Sequence, residues 1–187
     1  MAYNARKAAQ TIAYFALRSG ANRIFMLKAI KLVYLADRES IGRYGFPIQD
    51  ERHVSMPHGP VNLSTYEHVN GSYRTDATGW SEFLRDREDH MVALARDDIT
   101  IDDLDELSDA DLEVLDSVWE GFGHVPRWDL VKWTHNPANI PEWEDPDGSL
   151  ASIPLQRIMN SVRVPNADAQ VTAVEDASRI DDLFAAL

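Results

Sequence analysis

The fold is decided by the stretch Leu27–Gly71, which reads LKAIKLVYLADRESIGRYGFPIQDERHVSMPHGPVNLSTYEHVNG. Its first part, taken from Ile24 to Ala36, is apolar at every position except Lys28 and Lys31. The two lysines are three residues apart, so they share one side of a helix. A helix with so narrow a polar stripe has to be covered around most of its circumference. We therefore predict a central helix packed by the others, with its lysines forming a solvated stripe.

Backbone signals after this helix give the order of the next elements. Gly45 stands where a helix C-terminus favours a left-handed residue. A short extended run, Arg52–Met56, is followed by the turn Pro57-His58-Gly59-Pro60. Proline is favoured at the first position of a helix, which predicts a helix from Pro60 to Asn70. The predicted order is helix, short strand, tight turn, helix.

The remaining chain is predicted mainly as helix, with one small hairpin. Aromatic and branched residues in Trp80–Leu84 and His90–Leu94 favour two strands of a hairpin, and a continuous helix is the competing interpretation. The Pro- and Asn-rich segment Asn136–Gly148 is predicted as an irregular loop whose Trp143 packs back on the domain. Capping residues and helical spacing predict the other helices: Asn4–Ser19, one capped by Ser108, one from Pro126 to about His135, a short one opened by Ile153-Pro154, and an acidic one after Pro165.

These elements predict a fold class that is mainly α with a small β-hairpin. The compact helical domain, built around the buried central helix, is assigned to residues 1–162. Residues 163–187 are assigned to an acidic amphipathic C-terminal helix, either packed on the domain or docked on a partner.

Several of these segments together resemble a known family. They are Lys31-Leu32-Val33-Tyr34-Leu35-Ala36, Tyr44-Gly45-Phe46-Pro47-Ile48, His58-Gly59-Pro60-Val61, Trp128-Asp129-Leu130 with Thr134-His135, and Pro141-Glu142-Trp143. With this pattern the chain resembles the Panacea domain of SocA-like antitoxins from bacterial and phage toxin–antitoxin pairs, over about residues 8 to 160. The resemblance implies neutralisation of a toxin by direct binding. One relative of that family delivers its toxin to a protease as an adapter.

The motif residues are expected to be mostly structural. His58 is predicted to hydrogen-bond a nearby backbone or carboxylate group and so fix the turn, and His135 to tie its helix to the following loop by a hydrogen bond. The motif set is Lys31, Tyr34, His58, Gly59, Pro60, Val61, His135 and Trp143.

Charge and composition narrow the class of partner. The 187-residue chain has no cysteine and a net charge of −13. Residues 1–44 contain eight Lys or Arg against two acidic residues, a charge of +6, so the remaining residues carry −19. Asp97–Glu120 contains eleven acidic side chains and no basic one. Such a surface repels phosphate backbones and attracts basic partners, so direct nucleic-acid binding is disfavoured. The partner-binding candidates are Asp102, Asp103, Asp105, Glu106, Trp119, Trp128 and Phe184.

A catalytic alternative rests on three histidines. His53, His58 and His68 lie within 16 residues, and imidazole nitrogens with a carboxylate could bind zinc. Their spacing crosses a strand, a turn and a helix and matches no HExxH pattern. We therefore predict no catalytic residue, no metal and no cofactor.

The sequence thus predicts a cytoplasmic antitoxin that binds a cognate toxin with a basic surface and has no contact with a membrane. Arg18 and the spacing of the first apolar residues favour an amphipathic helix over a signal peptide. A proteolytic adapter and, less favoured, a metal-dependent hydrolase remain as alternatives, and self-association stays open.

Overall fold

The computed structural model describes residues 3–73 and 78–185. In chain order the elements are α1 (Ala5–Arg18), β1 (Arg23–Phe25), α2 (Met26–Tyr44), β2 (His53–Met56), β3 (Gly59–Asn62), α3 (Leu63–Val69), β4 (Met91–Ala93), α4 (Asp109–Phe122), α5 (Arg127–Thr134), β5 (Ala151–Ile153), α6 (Leu155–Ser161) and α7 (Ala167–Ala185). Short 3-10 turns lie at Trp80–Glu82 and Ile101–Asp103.

The central helix is confirmed as α2. It contacts α1, α4, α5, α6 and β3, and Leu32, Val33 and Tyr34 are fully buried. The helix continues to Tyr44, where Gly45 ends it in the left-handed conformation with φ +79°. The predicted solvated stripe is wrong, because Lys31 has no exposed surface. Apolar spacing shows which helix is central but not how completely its few polar residues are covered.

The turn after β2 leads into a strand instead of a helix. β3 pairs antiparallel with β2, with Val54 opposite Val61, and β5 pairs with the other edge of β2. Pro60 is tolerated because β3 is an edge strand, where a missing N–H breaks little of the ladder. The helix predicted from Pro60 begins only at Leu63. Its first three predicted residues are extended because they pair with the backbone of β2.

The predicted hairpin is present only in part, as isolated antiparallel bridges between Leu84 and Leu94 and between Glu88 and Met91. Strand β4 pairs instead with β1, so Val92 lies opposite Ile24. Trp80–Glu82 is a 3-10 turn. A mostly helical fold is confirmed, with its β structure divided over two small antiparallel sheets in the described part of the chain.

Helices α4 and α5 begin where the sequence predicted them to begin. Ser108 caps α4 in a capping box with Asp111, and Pro126 precedes α5 as its N-cap. The acidic segment before α4 is largely irregular apart from its 3-10 turn. The division into residues 1–162 and 163–187 stays a prediction. None of the described helices combines the length and the apolar character that a membrane crossing requires.

Candidate functional site

The motif residues meet where the β2–β3 turn touches two helices. Gly59 has φ +95°, a conformation that side chains other than glycine rarely adopt. A Cβ atom there would lie 2.9 Å from Thr134 Oγ1, 3.0 Å from His135 Cδ2 and 3.0 Å from Lys31 Nζ. The turn therefore lies directly against α2 and α5, and only a residue without a side chain fits.

Lys31 of α2 is hydrogen-bonded to the backbone of this turn. Its Nζ donates a hydrogen bond of 2.8 Å to the Pro60 carbonyl oxygen, and the side chain is fully buried. Burial lowers the pKa of the Lys31 amine to about 7. No ion pair joins Lys31 to a carboxylate within residues 3–73 and 78–185. The amine thus serves as a buried hydrogen-bond donor whose charged and neutral forms are both populated near pH 7.

The buried amine predicts a pH dependence of stability. Below about pH 7 the amine is protonated in both the folded and the unfolded chain, so the free energy of unfolding carries the full desolvation cost. Between pH 7 and the ordinary value of 10.5 the unfolded chain binds more protons, so this contribution rises with pH by up to about 1.4 kcal/mol per pH unit. Lys31→Met should remove that rise. Urea unfolding of both proteins from pH 6.5 to 9.5 measures it, and parallel curves would contradict the assignment.

Asp37 forms a second buried contact between α2 and the sheet. Its Oδ1 accepts from the Gln49 backbone N–H at 2.9 Å, and its Oδ2 lies 2.6 Å from Asn62 Nδ2 and 2.9 Å from His53 Nε2. All four side chains are buried. Sequence reasoning missed this residue. The available signal was a carboxylate directly after the apolar run Leu32–Ala36.

The irregular loop 136–148 is hydrogen-bonded to α2 through Glu142. This fully buried carboxylate accepts from Tyr34 OH at 2.9 Å and from Arg38 Nε at 2.6 Å. Beside it, Trp143 donates through Nε1 to the Met56 carbonyl at 3.4 Å. The prediction that Trp143 packs back on the domain is thereby confirmed.

His135 joins α5 to this loop by stacking. Its ring lies 4.5 Å from that of Trp143 at an interplanar angle of 13°, and His135 Nε2 is buried without a hydrogen-bond partner. The predicted hydrogen bond to the loop is therefore replaced by a ring contact. Burial, together with the nearby Lys31 amine, lowers the pKa of His135, which favours the neutral ring that stacks on Trp143.

The three histidines of the catalytic alternative lie in separate surroundings. His53 belongs to the Asp37 contacts, and His68 is stacked between Tyr73 and Trp80. The exposed ring of His58 lies edge-on to Trp128, so it does not fix the turn by the predicted hydrogen bond. Among the described residues, no group of three or more His, Asp or Glu side chains could hold a metal ion.

Much of the acidic segment is neutralised within the chain. Arg6 of α1 binds both Asp105 and Glu106, two of the candidates for partner binding. Asp102 and Asp103 are exposed, although Asp103 also caps its 3-10 turn through Thr100. Three further pairs join the acidic segment to α1 and α2: Lys7 with Asp111, Arg18 with Asp116, and Arg43 with Glu113. The opposite charges of the two halves are thus used in part to hold the fold together.

The aromatic candidates differ in accessibility. Trp119 is half-buried, with its ring 6.2 Å from Phe15 and Lys28 Nζ 5.5 Å above it, so it serves in packing. Trp128 is 52% exposed. Phe184 is also exposed, near the end of α7.

Trp128 belongs to a small aromatic patch at the surface. The Arg127 guanidinium lies 4.0 Å from the centre of the Phe25 ring and 5.8 Å from that of Trp128, and the His58 ring lies edge-on to Trp128 with its centre 6.0 Å away. We call Phe25, His58, Arg127 and Trp128 the Trp128 surface. It brings together α5, the β2–β3 turn and the end of β1, so the motif turn lies beside an accessible tryptophan.

This arrangement agrees with a comparison against protein families. The family model described as "Antitoxin SocA-like, Panacea domain" matches residues 30–144, more than half of the chain. The chain belongs to this family. The match to the Panacea domain begins in α2 and ends just after Trp143, so it includes Lys31, Gly59 and their neighbours. No curated protein and no solved structure matches the chain significantly. Membership in the Panacea family indicates a role in a toxin–antitoxin pair.

Proposed function

We propose that this Panacea-domain protein is a cytoplasmic antitoxin that neutralises a cognate toxin by binding it directly, with no reaction of its own. Family membership supports the toxin–antitoxin role. The single observation that carries direct binding is Trp128, half exposed on the surface above the motif turn. The motif residues Lys31, His135 and Trp143 make hydrogen bonds and ring contacts within the domain, so we assign them a structural role.

The Trp128 surface has the properties of an interface anchor. Tryptophan and arginine are enriched among the residues that carry most of the binding energy of protein interfaces. Here Arg127 and His58 flank the indole of Trp128, so less side-chain freedom is lost on binding. A partner that covers this patch removes a large aromatic ring from water without rearranging the domain.

The remaining acidic residues favour a toxin with a basic surface. Asp102 and Asp103 are exposed, and the whole chain carries a net charge of −13. Part of the acidic segment is already paired within the chain. We therefore expect the exposed acidic residues mainly to raise the association rate with the toxin, and Trp128 to contribute most of the binding free energy.

The test is co-expression with the product of the neighbouring open reading frame. Wild-type protein should relieve growth arrest and co-purify with that product. Trp128→Ala should weaken the complex by about 2 kcal/mol, roughly 30-fold in Kd, as expected for a central aromatic anchor. Phe46→Ala is the matched control, because Phe46 is an exposed aromatic residue just beyond the C-terminal end of α2, whereas Phe25 of the Trp128 surface precedes its N-terminal end.

Three results would contradict the proposal. If wild-type protein neither relieves arrest nor co-purifies with the product, direct neutralisation fails. Equal affinities for Trp128→Ala and Phe46→Ala would remove the Trp128 surface from the interface. If the partner's half-life falls when the two are co-expressed, the protein acts as a proteolytic adapter instead.

A further inference from the structure

Arg127 differs from the arginines that hold the fold together. Arg6 and Arg43 bind carboxylates within the domain. Arg127 is half-buried, and its guanidinium lies 4.0 Å from the centre of the Phe25 ring and 5.8 Å from that of Trp128. Among the described residues, no carboxylate oxygen comes within 4.0 Å of its nitrogens and no acceptor takes a hydrogen bond from them. This guanidinium has therefore lost part of its hydration without gaining an acceptor.

Acidic residues close to Arg127 in the sequence or beside it in the sheet do not neutralise it. Asp129, two positions along α5, binds Lys132 Nζ at 3.0 Å. The segment 86–89 contains three acidic residues and leads into β4, which pairs with β1 beside Phe25, but it forms no described ion pair with Arg127. A positive charge thus remains available at the Trp128 surface, on a chain whose net charge is −13.

The ring contacts restrain Arg127 while leaving its donors free. Cation–π attraction holds a guanidinium near an aromatic ring, and its five N–H donors keep the fork geometry that matches a planar acceptor. Charge-assisted hydrogen bonds to such an acceptor are about twice as strong as neutral ones. Phe25 and Trp128, which are 39% and 52% exposed, add apolar area beside the charge. The surface therefore combines aromatic anchors with a preorganised cationic donor.

We propose that the toxin places an Asp or Glu side chain against Arg127 when it covers the Trp128 surface. The inference rests on the proposed function, because the partner is the toxin, and it specifies the chemistry of the contact. A carboxylate is the planar, bidentate acceptor that matches a guanidinium. An apolar or basic toxin surface would instead bury the charge without an acceptor, which costs free energy.

This contact is compatible with a toxin that is basic elsewhere. Asp102 and Asp103 lie in the 3-10 turn before α4, whereas Arg127 begins α5. Exposed charges at the rim of an interface mainly change the association rate, and a covered charge pair mainly changes the dissociation rate. Arg127→Met should therefore raise the dissociation rate of the complex, whereas Asp102→Asn should lower its association rate.

A nucleic acid is another anionic occupant that arginine and aromatic side chains can bind. A strand requires cations along its phosphate backbone as well as rings for its bases. Here the neighbouring pair Asp129–Lys132 carries no net charge, and the acidic segment 86–89 lies on the side of Phe25. A single available guanidinium in such surroundings favours a carboxylate of a protein over a phosphate backbone.

The experiment measures the binding kinetics of the purified neighbouring product on variants of the full chain. Arg127→Met should weaken the complex about tenfold and Arg127→Glu about a hundredfold, because the second change also brings two carboxylates together. Arg127→Lys should lie between wild type and Arg127→Met, because it keeps the charge without the fork. The matched control is Lys132→Glu, the same charge reversal about 140° around α5, which should change Kd by less than about threefold.

The sign of the Arg127→Glu effect decides the inference. Tighter binding would mean that the toxin places a basic residue there, which would overturn the proposal. Equal Kd values for Arg127→Glu and Lys132→Glu would overturn it as well. Binding of a labelled single-stranded oligonucleotide that Arg127→Glu abolishes would identify a nucleic acid as the occupant instead.

A suppressor screen keeps the result interpretable if Arg127→Glu also affects folding. Each Asp and Glu of the toxin is replaced in turn by Lys, and the variants that still arrest growth are co-expressed with the Arg127→Glu chain. One replacement should restore relief of growth arrest, a gain that misfolding cannot produce. If none restores it, the toxin has no carboxylate opposite Arg127.

Failure of this inference can be told apart from failure of the proposed function. If wild type binds and neutralises the product, and Arg127→Glu does so equally well, the antitoxin role stands and the carboxylate contact is removed. A neighbouring product that never binds wild type removes the proposed function itself.

Discussion

Replacing Gly59 by alanine is expected to destabilise this Panacea domain by about 3 kcal/mol. Roughly 1–2 kcal/mol comes from holding a residue with a side chain at positive φ, and the rest from crowding. The new methyl group would lie 2.9 Å from Thr134 Oγ1 and 3.0 Å from Lys31 Nζ. Both neighbours are fully buried and have little room to move. The free energy of unfolding in urea measures the loss.

Gly20→Ala is the matched control for this substitution. Gly20 also has a positive φ, +71°, but nothing lies within 4 Å of a Cβ atom built there. The control should therefore lose only the conformational part, about 1 kcal/mol. If both variants lose the same amount, the close approach of the turn to α2 and α5 contributes nothing to stability.

Asp37→Ala is expected to cost about 4 kcal/mol of folding free energy. The substitution leaves three buried groups without their acceptor: the Gln49 N–H, the Asn62 amide and the His53 ring. A buried donor left unpaired costs about 1–3 kcal/mol, and part of that loss is recovered by local relaxation or an entering water. Because these groups belong to β2, β3 and the segment before them, the sheet should lose its attachment to α2.

Asp37→Asn separates the loss of acceptors from a change in shape. The amide oxygen can still accept from Gln49. Its NH2 group can bond Asn62 Oδ1, a buried atom without a partner in the described structure, once the Asn62 amide rotates so that Oδ1 takes the place of Nδ2. We therefore expect Asp37→Asn to lose less than half as much as Asp37→Ala. Equal losses, measured by urea unfolding at one pH, would contradict the account of Asp37 as an acceptor of several hydrogen bonds.

The charge pattern shows which part of the functional prediction could be made from the sequence and which part needed the structure. The basic N-terminal part and the acidic later part predicted an electrostatic surface for a partner. Folding brings Arg6 onto Asp105 and Glu106, and Arg43 onto Glu113. A sequence records the number of charges, whereas their pairing depends on which helices become neighbours. Asp102 thus remains a candidate for the electrostatic attraction of a partner, whereas Asp105 forms an ion pair within the domain.

The sequence by itself determined the features that depend on local chemistry. Apolar spacing identified α2, Gly45 marked its end, and the Ser108 capping box marked the start of α4. The motif residues also sufficed to identify the Panacea family. These signals act over one or two helical turns, so they can be read without knowing what packs against them.

Tertiary structure alone decided the features that depend on distant partners. The extended backbone at Pro60 requires β2 beside it, and the pairing of β4 with β1 joins segments about 70 residues apart. Burial of Lys31 and Asp37 follows from the sheet that covers α2. The sequence showed that α7 is amphipathic, but only the packing showed that the Ala173–Phe184 stripe faces solvent. A periodic pattern gives the apolar positions of a helix, and the neighbouring elements determine which of them are covered.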